Sequence, residues 1–167
     1  WTAGILRPET KDNMPGDFNS VIEITKLVKN RVENAGAPAA RAAARIGKYD
    51  RVINSFISLV PSLGEAGCSG PSLPLSGVPF AVKDLIFTAG LPTTCGSRAP
   101  VPEKLADRSP ALAVTRLLEA GAILAGKNNL HEFAFGITNE NDHFGPVLNP
   151  WDISRVSGGS SGGSAAA

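Results

Sequence analysis

Apolar residues recur at helical spacing near the start of the chain and predict a pair of helices. The residues that lie three or four positions apart are Val21, Ile24, Leu27, Val28 and Val32. Ser20 and Glu23 fit a capping box, in which each side chain bonds the other residue's backbone amide, so a helix is expected over residues 20–34. The Ala- and Arg-rich segment 39–48 predicts a second helix that ends at Gly47 or soon after.

Two further patterns predict strands. The side chains of residues 53–59 alternate with a period of two, which is typical of a half-buried strand. After a Pro-, Gly- and Ser-rich loop over 61–74, the short run 78–82 is apolar throughout and predicts a buried strand. Lys83 and Asp84 follow that strand directly, at the end where α/β proteins bind their ligands.

A helix and a strand complete a βαβ unit after this run. Ser109 and Pro110 fit the N-cap and the first position of a helix that Gly121 ends, and residues 122–125 predict the next buried strand. A strand, a long crossover, a helix and a second strand imply a parallel sheet covered by helices. The predicted fold class is therefore α/β, with residues 1–52 forming an N-terminal arm and a helical hairpin.

The composition narrows the classes of function. The chain has 167 residues, of which 43% are apolar, and its 16 Lys and Arg against 15 Asp and Glu give a net charge of +1. That balance disfavours nucleic-acid and anionic-membrane binders, which carry a strongly basic surface. No apolar run is long enough to span a membrane and no leader sequence is recognisable, so a cytoplasmic protein is expected.

Metal-ligating residue types are too sparse to predict a metal site or a disulfide framework. Cys68 and Cys95 are too far apart for a zinc spacing and predict two free thiols, with a single bridge as the alternative. His131 and His143 lack the partners of a metal site and are expected to be surface or capping residues. No metal and no other cofactor are predicted.

Three motifs have both a chemical and a structural interpretation. Residues 121–128 match the G-x-x-x-x-G-K of a P-loop, but the residues between the glycines are the predicted strand itself, so their amides cannot cradle a phosphate. The Gly- and Ser-rich segment 158–164 is either a flexible linker or a place where the backbone approaches a reacting group. Lys83 is either a solvated lysine paired with a carboxylate or a neutral proton acceptor. The adjacent Asp84 opposes the second role unless its carboxylate turns away.

Several segments in the same order resemble the amidase signature family. They are GVPFAVKD at 77–84, TTCGS at 93–97, GAILAGKNN at 121–129, EFAFG at 132–136, NEN at 139–141, FGP at 144–146, NPW at 149–151 and GGSSGGS at 158–164. The resemblance extends over residues 53–167 and implies the N-terminal part of one larger α/β domain, with a mixed sheet covered by helices. The helices predicted before residue 53 suit the N-terminal helical arm of such enzymes.

The resemblance implies a catalytic site built from a lysine and a serine that follows a cis peptide bond. Lys83 corresponds to the lysine of the family's Ser, cis-Ser, Lys triad, and Ser160 corresponds to the cis serine. Gly158, Gly159 and Ser161 would supply supporting, oxyanion-side backbone. Neutral Lys83 would accept a proton from Ser160, which accepts one from the serine that attacks the amide carbonyl. That nucleophile follows in an Asp-x-Gly-Gly-Ser stretch of the family, and this chain is expected to end before it.

The resemblance also implies a substrate pocket and an activity. It places Phe133, Ala134, Phe135 and Gly136 near the scissile carbonyl, where the two aromatics would form an apolar wall. The alternative is a Phe pair that packs a short helix onto the sheet. The implied activity is hydrolysis of the C–N bond of a small-molecule amide through an acyl-enzyme, with release of ammonia or an amine.

Two other functions compete with this one. The first is that of the glutamine-hydrolysing component of a tRNA-dependent amidotransferase, its A subunit, and the second is that of a non-catalytic module that keeps the fold without the nucleophile. The expected partners are the amide substrate and the remainder of the amidase domain, and a homodimer is left open.

Overall fold

The computed structural model describes residues 20–63, 73–99 and 109–167. Its helices are α1 (Val21–Lys29), α2 (Ala37–Ile53), α3 (Leu112–Glu119) and α4 (Gly162–Ala166). Its strands are β1 (Phe56–Leu59), β2 (Pro79–Lys83), β3 (Ile123–Asn128), β4 (Leu148–Asn149) and β5 (Asp152–Val156). The predicted arm before residue 20, most of the 61–74 loop with Cys68, and residues 100–108 lie outside the described residues.

Helix α1 begins where the capping box predicts and ends earlier than expected. Ser20 Oγ accepts a hydrogen bond from the Glu23 amide at 3.2 Å, and Glu23 Oε2 accepts one from the Ser20 amide at 2.7 Å. The helix stops at Lys29 instead of continuing to residue 34. Arg31 has a positive φ of 56°, a left-handed conformation that does not continue a right-handed helix.

Helix α2 is longer than predicted at both ends. It begins at Ala37, runs through Gly47 without a break, and ends at Ile53. Asn54 then adopts a left-handed conformation with φ of 60° and caps the helix. The prediction of a strand from residue 53 is therefore wrong at its start, because Ile53 is helical and the strand begins only at Phe56.

The main sheet is mixed and has β3 at its centre. Its strand order is β1, β3, β2. β2 and β3 are parallel and α3 lies between them in the chain, which confirms the predicted βαβ unit. β1 pairs antiparallel with β3, and β4 and β5 form a separate antiparallel hairpin. The α/β class with a mixed sheet is thus confirmed.

Helix α3 is present, but its predicted N-terminal cap is wrong. Ser109 and Pro110 both lie before the helix, which begins at Leu112 with Ala111 as its N-cap. The side chain of Ala111 cannot accept a hydrogen bond, and its amide instead donates to Phe87 O at 3.0 Å. The start of the helix is therefore set by a bond to the preceding loop and not by a capping side chain.

The region after α3 follows the prediction more closely. Gly121 has φ of 93°, as expected for the glycine that follows a helix. β3 extends beyond the predicted segment and includes Gly126, Lys127 and Asn128. The backbone amides that a P-loop would direct at a phosphate therefore belong to a strand, as the sequence pattern predicted.

The apolar core is assembled from small clusters around the sheet. α1 packs its buried Ile24 and Val28 against Val78, next to the start of β2. α2 covers the sheet through Ala39, which packs with Ala125 of β3. No helix in the described ranges combines the length and the apolarity needed to cross a membrane.

Helix α4 docks on the carboxyl end of the sheet through backbone contact at Gly163. The Gly163 amide donates to Asn129 O at 3.0 Å. A Cβ at Gly163 would come within 2.5 Å of Asn129 O and 2.6 Å of Asn129 N. Ala166, one turn further on, is buried with Ile53 and Val147. Only a residue without a side chain permits this approach.

We expect Gly163→Ala to lower the free energy of unfolding by at least about 1–3 kcal/mol, because the added methyl group would overlap the Asn129 backbone. Gly47→Ala is the matched control, since nothing lies within 4 Å of its Cβ position. That change should stabilise the interior of α2 by up to about 1 kcal/mol. Urea denaturation measures both effects, and a Gly163→Ala protein as stable as the unchanged chain would contradict the close approach.

Candidate active site

Lys83 lies at the carboxyl end of β2, and its side chain reaches Ser160. Lys83 Nζ donates a hydrogen bond to Ser160 Oγ at 2.7 Å, although the two residues are 77 positions apart in the chain. β2 pairs with β3 up to the alignment of Lys83 with Asn128, so the amine emerges where both parallel strands end. The structure thus brings together the two residues that the sequence analysis expected to meet.

The backbone around Ser160 is held by the segment that follows β3. The Gly159–Ser160 peptide bond is cis. Ser160 O accepts a hydrogen bond from the His131 amide at 3.1 Å, and the Gly159 amide donates to Ile137 O at 2.6 Å. A Cβ at Gly159 would lie 2.8 Å from Asn139 N, so this approach requires a glycine. Ser160 is therefore positioned by main-chain contacts on both sides of the cis bond.

The Gly- and Ser-rich segment is folded, so its interpretation as a flexible linker is wrong. Gly158 has φ of 82°, while Gly162 and Gly163 are buried in α4. The Gly162 amide donates to Asn139 Oδ1 at 2.9 Å. Ser161 is the N-cap of α4, and its exposed side chain makes no capping bond.

The surroundings of Lys83 shift its titration toward the neutral amine. Partial burial lowers the pKa of Lys83 from the ordinary lysine value, because desolvation penalises the ammonium form. Asp84, the next residue, is fully buried, and its Oδ1 lies 2.9 Å from Lys127 Nζ. The Asp84 carboxylate therefore turns to Lys127, which answers the question that the sequence left open.

The Asp84–Lys127 ion pair also organises a neighbouring loop. Asp84 Oδ2 accepts hydrogen bonds from the Thr94 amide at 2.9 Å and from Thr94 Oγ1 at 2.5 Å. Lys127 Nζ donates to Thr93 Oγ1 at 2.6 Å and to Pro92 O at 3.2 Å. Sequence reasoning considered Lys127 only as the lysine of a rejected P-loop. A lysine within a buried strand requires a buried counter-ion, but the predicted strand ended at residue 125, two residues before Lys127.

Three buried asparagines hold the backbone of the site, and the sequence analysis assigned them no role. Asn141 Nδ2 donates to Gly96 O at 2.8 Å, and Asn129 Nδ2 donates to Asn54 O at 3.1 Å. Asn139 is fully buried and accepts from α4 as described above. These bonds join distant positions of the chain, so local sequence patterns contain no signal for them.

The segment expected to line the pocket exposes its aromatic side chains. Phe133 lies in a short 3-10 helix, Glu132–Ala134, and its amide donates to Cys95 O at 2.8 Å. The exposed fractions are 59% for Phe133 and 91% for Phe135. The alternative of a Phe pair that packs a short helix onto the sheet is therefore wrong, and a pocket role for residues 133–136 stays a prediction.

The two histidines make local contacts near this segment. His143 Nε2 lies 3.0 Å from Glu132 Oε1. His131 is the N-cap residue of the 3-10 helix but makes no capping bond with its side chain, and its ring lies where a Cβ on Gly136 would be. Cys95 is a free thiol whose pKa is raised, chiefly by burial. Within residues 20–63, 73–99 and 109–167, no three His, Cys, Asp or Glu side chains are grouped closely enough to hold a metal ion.

Comparison with known proteins identifies relatives of this chain. A model of the amidase family matches residues 40–167. The A subunit of the glutamyl-tRNA(Gln) amidotransferase of Halorhodospira halophila is 47% identical over 133 residues, covering 74% of this chain and 27% of that protein. Its counterpart in Cupriavidus metallidurans is 43% identical over 168 residues, covering 92% of this chain and 32% of that protein. The chain thus spans 27% to 32% of the length of these relatives.

Solved structures extend the comparison to the fold. The peptide amidase of Stenotrophomonas maltophilia superposes with a TM-score of 0.77 at 29% identity, covering 91% of this chain and 34% of that one. The A subunit of the glutamyl-tRNA(Gln) amidotransferase of Thermotoga maritima gives a TM-score of 0.74 at 35% identity, covering 90% of this chain and 31% of that one. These superpositions show that the chain has the α/β fold of the amidases. The chain belongs to the amidase signature family.

We expect Lys83 to react with an acylating reagent at lower pH than the exposed lysines Lys26 and Lys29 of α1. Its lowered pKa leaves a larger fraction of neutral amine at any pH below the ordinary lysine range. Trace labelling with acetic anhydride across pH 6–11, read by peptide mass spectrometry, would measure the three rates in one sample. Equal pH profiles for all three lysines would contradict the expectation.

Proposed function

We propose that this protein hydrolyses the C–N bond of a small carboxylic amide, with Lys83 and Ser160 as its proton relay. The observation that carries the proposal is the 2.7 Å hydrogen bond between Lys83 Nζ and Ser160 Oγ. That distance lies within the range that direct proton transfer requires. Membership of the amidase family supports the same chemistry.

In the proposed reaction Lys83 starts as a neutral amine. It accepts the proton of Ser160 Oγ, while Ser160 accepts the proton of a nucleophilic serine whose oxygen attacks the amide carbonyl carbon. The C–N bond of the tetrahedral intermediate then breaks, and the relay returns a proton to the leaving nitrogen. Water hydrolyses the resulting acyl-enzyme through the same relay. The lowered pKa of Lys83 supports this starting state.

We place the nucleophile outside these 167 residues, in the Asp-x-Gly-Gly-Ser stretch of the family. Ser161 and Ser164 are the serines that follow Ser160 in this chain. Ser164 Oγ donates to Asn128 Oδ1 at 3.2 Å, and among the described residues Ser160 Oγ, which would accept the nucleophile's proton, bonds Lys83 and neither of these serines. Neither serine is therefore assigned the attacking role.

The remaining site residues keep their proposed roles. The backbone of Gly158, Gly159 and Ser161 adjoins Ser160, which supports a contribution on the oxyanion side. The exposed aromatics of the segment 133–136 support an apolar wall that a substrate could contact. His131 links this wall to the relay, because it precedes the segment and its amide holds Ser160 O.

In a protein that joins this chain to the Asp-x-Gly-Gly-Ser stretch, Lys83→Ala and Ser160→Ala should each lower kcat/KM for a small amide by at least about 10³-fold. Loss of either group interrupts the relay, and release of ammonia measures the rate. Lys26→Ala and Ser154→Ala are the matched controls because both residues are exposed and lie on α1 and β5. Both controls should stay within about twofold of the unchanged protein.

Three outcomes would contradict parts of the proposal. An unchanged kcat/KM in Lys83→Ala would remove the lysine from the relay. Amide hydrolysis by the purified 167-residue chain alone, lost in Lys83→Ala, would show that the nucleophile lies within it. A gene that encodes no Asp-x-Gly-Gly-Ser stretch after residue 167 would favour a non-catalytic module instead.

A second candidate function is hydrolysis of glutamine within a tRNA-dependent amidotransferase, as its A subunit. The observation that favours it is that the curated relatives reported above, at 47% and 43% identity, are A subunits of such amidotransferases. Ammonia release from glutamine and from a peptide with a C-terminal amide, compared in the same protein, distinguishes the two. A preference for glutamine is expected of an amidotransferase component, and a preference for the peptide amide is expected of an independent amidase.

A further inference from the structure

Lys83 and Asp84 are neighbours in the chain, yet their charged groups make separate sets of contacts. The Lys83 amine meets Ser160 Oγ, whereas the Asp84 carboxylate meets Lys127 Nζ. The strand register explains the separation, because Val82 aligns with Lys127 across the parallel ladder. Asp84 is two residues beyond Val82 and so shares its face, which is also the face of Lys127. Lys83 lies on the opposite face.

The groups that the strand register and the hydrogen bonds place on the face of Lys83 are uncharged. They are Asn128 of β3, Ser160, and Ser164 of α4, which bonds Asn128 Oδ1. α2 and α3 also pack on this sheet, and their titratable side chains are Arg41, Arg45, Lys48, Tyr49, Asp50, Arg51, Arg116 and Glu119. Of the two carboxylates among them, Glu119 is exposed, and Asp50 accepts from Ser55 N at 2.6 Å and from Ser55 Oγ at 2.5 Å.

Asp84 directly follows Lys83 in the chain. The charge on its carboxylate can therefore influence the protonation of the lysine. An uncompensated carboxylate beside a lysine stabilises the ammonium form and removes the lone pair that must accept a proton. Lys127 Nζ, at 2.9 Å from Asp84 Oδ1 in a pair with no exposed surface, offsets that charge. Burial separately lowers the pKa of Lys83, because desolvation penalises the ammonium form.

We propose that Lys127 is a positioning residue of the Lys83–Ser160 relay, because it holds the Asp84 carboxylate in a buried ion pair and prevents that charge from keeping the Lys83 amine protonated. The inference rests on the proposed function, since it concerns the lysine that the relay requires to be neutral. Lys127 acts through Asp84 and touches neither the substrate nor Ser160.

The test compares Lys127→Met with the double variant Asp84→Asn/Lys127→Met in the acylation assay described above. In Lys127→Met the Thr94 amide and Thr94 Oγ1 still donate to Asp84 Oδ2 and stabilise the carboxylate form. The uncompensated charge should shift the Lys83 profile to higher pH by about one unit, which is about tenfold slower acylation at neutral pH. The double variant removes both charges and should return the Lys83 rate to within about twofold of the unchanged chain.

The two variants separate an electrostatic role from a structural one. A merely structural role of the ion pair would slow or accelerate Lys83 acylation in the same way in both variants. Equal changes in both, or no change in Lys127→Met, would overturn the proposal. Lys26→Met, which removes an exposed cation, controls for the net charge, and circular dichroism confirms that each protein is folded.

Asp84→Asn covers the case in which Lys127→Met does not fold. It removes the carboxylate, and Lys127 then either keeps its proton and moves the Lys83 profile to lower pH, or loses it, as buried uncompensated cations do, and leaves that profile in place. A shift to higher pH would overturn the proposal. The Lys83 profile of the unchanged chain distinguishes failure of the proposed relay from failure of the proposed role of Lys127. An ordinary Lys83 profile there defeats the proposed relay and this inference with it, whereas a low-pH profile that no variant moves defeats only the role of Lys127.

Discussion

The register of the parallel pair β2 and β3 is the constraint on which the candidate site depends. It aligns Lys83 with Asn128 and Val82 with Lys127 at the edge where both strands end. One lysine is thereby directed to Ser160, while the other lies on the opposite face against Asp84. A slip of one residue would exchange the two faces, because side chains alternate along a strand. The burial of Lys127 and the accessibility of Lys83 are thus two results of one alignment.

A fully buried ion pair beside a candidate site needs compensation for the lost hydration of both charges. Asp84 and Lys127 obtain it from each other and from Thr93, Thr94 and Pro92, all in one loop. Removal of one partner from such a pair typically costs about 3–5 kcal/mol, whereas replacement of both by uncharged groups is often tolerated. The loop and the strand ends are therefore tied together by charge, while the surrounding sheet is held by apolar packing.

Local sequence patterns were sufficient for the features that depend on neighbouring residues. The capping box at Ser20 and the strand that ends at Lys83 needed only spacing and residue type. The ends of α1 and α2 did not follow from periodicity, since Arg31 and Asn54 adopt left-handed conformations that no local pattern indicated. Gly47, a helix-breaking residue type, lies in mid-helix.

The candidate site was predictable only in part, for a related reason. The pairing of Lys83 with Ser160 came from the resemblance of whole motifs, because the two residues have no local relation. The asparagines that bond the site's backbone and the partner of Asp84 were missed, since their contacts depend on the tertiary fold. These residues share one signal, which is a polar residue type in a buried segment. That signal indicates that a hydrogen bond must exist but does not identify its partner.

The contacts of the site span long stretches of chain, and this has a kinetic consequence. Lys83 and Ser160 are 77 residues apart, Asn128 bonds Ser55 across 73, and Asn129 bonds Asn54 across 75. Each contact closes a large loop, whose entropy must be lost before the bond forms, and such non-local contacts slow folding. No single segment of the chain therefore contains both groups of the relay. The relay comes into existence when the C-terminal segment docks on the sheet, and a local opening of that segment would dismantle it while the strands stayed paired.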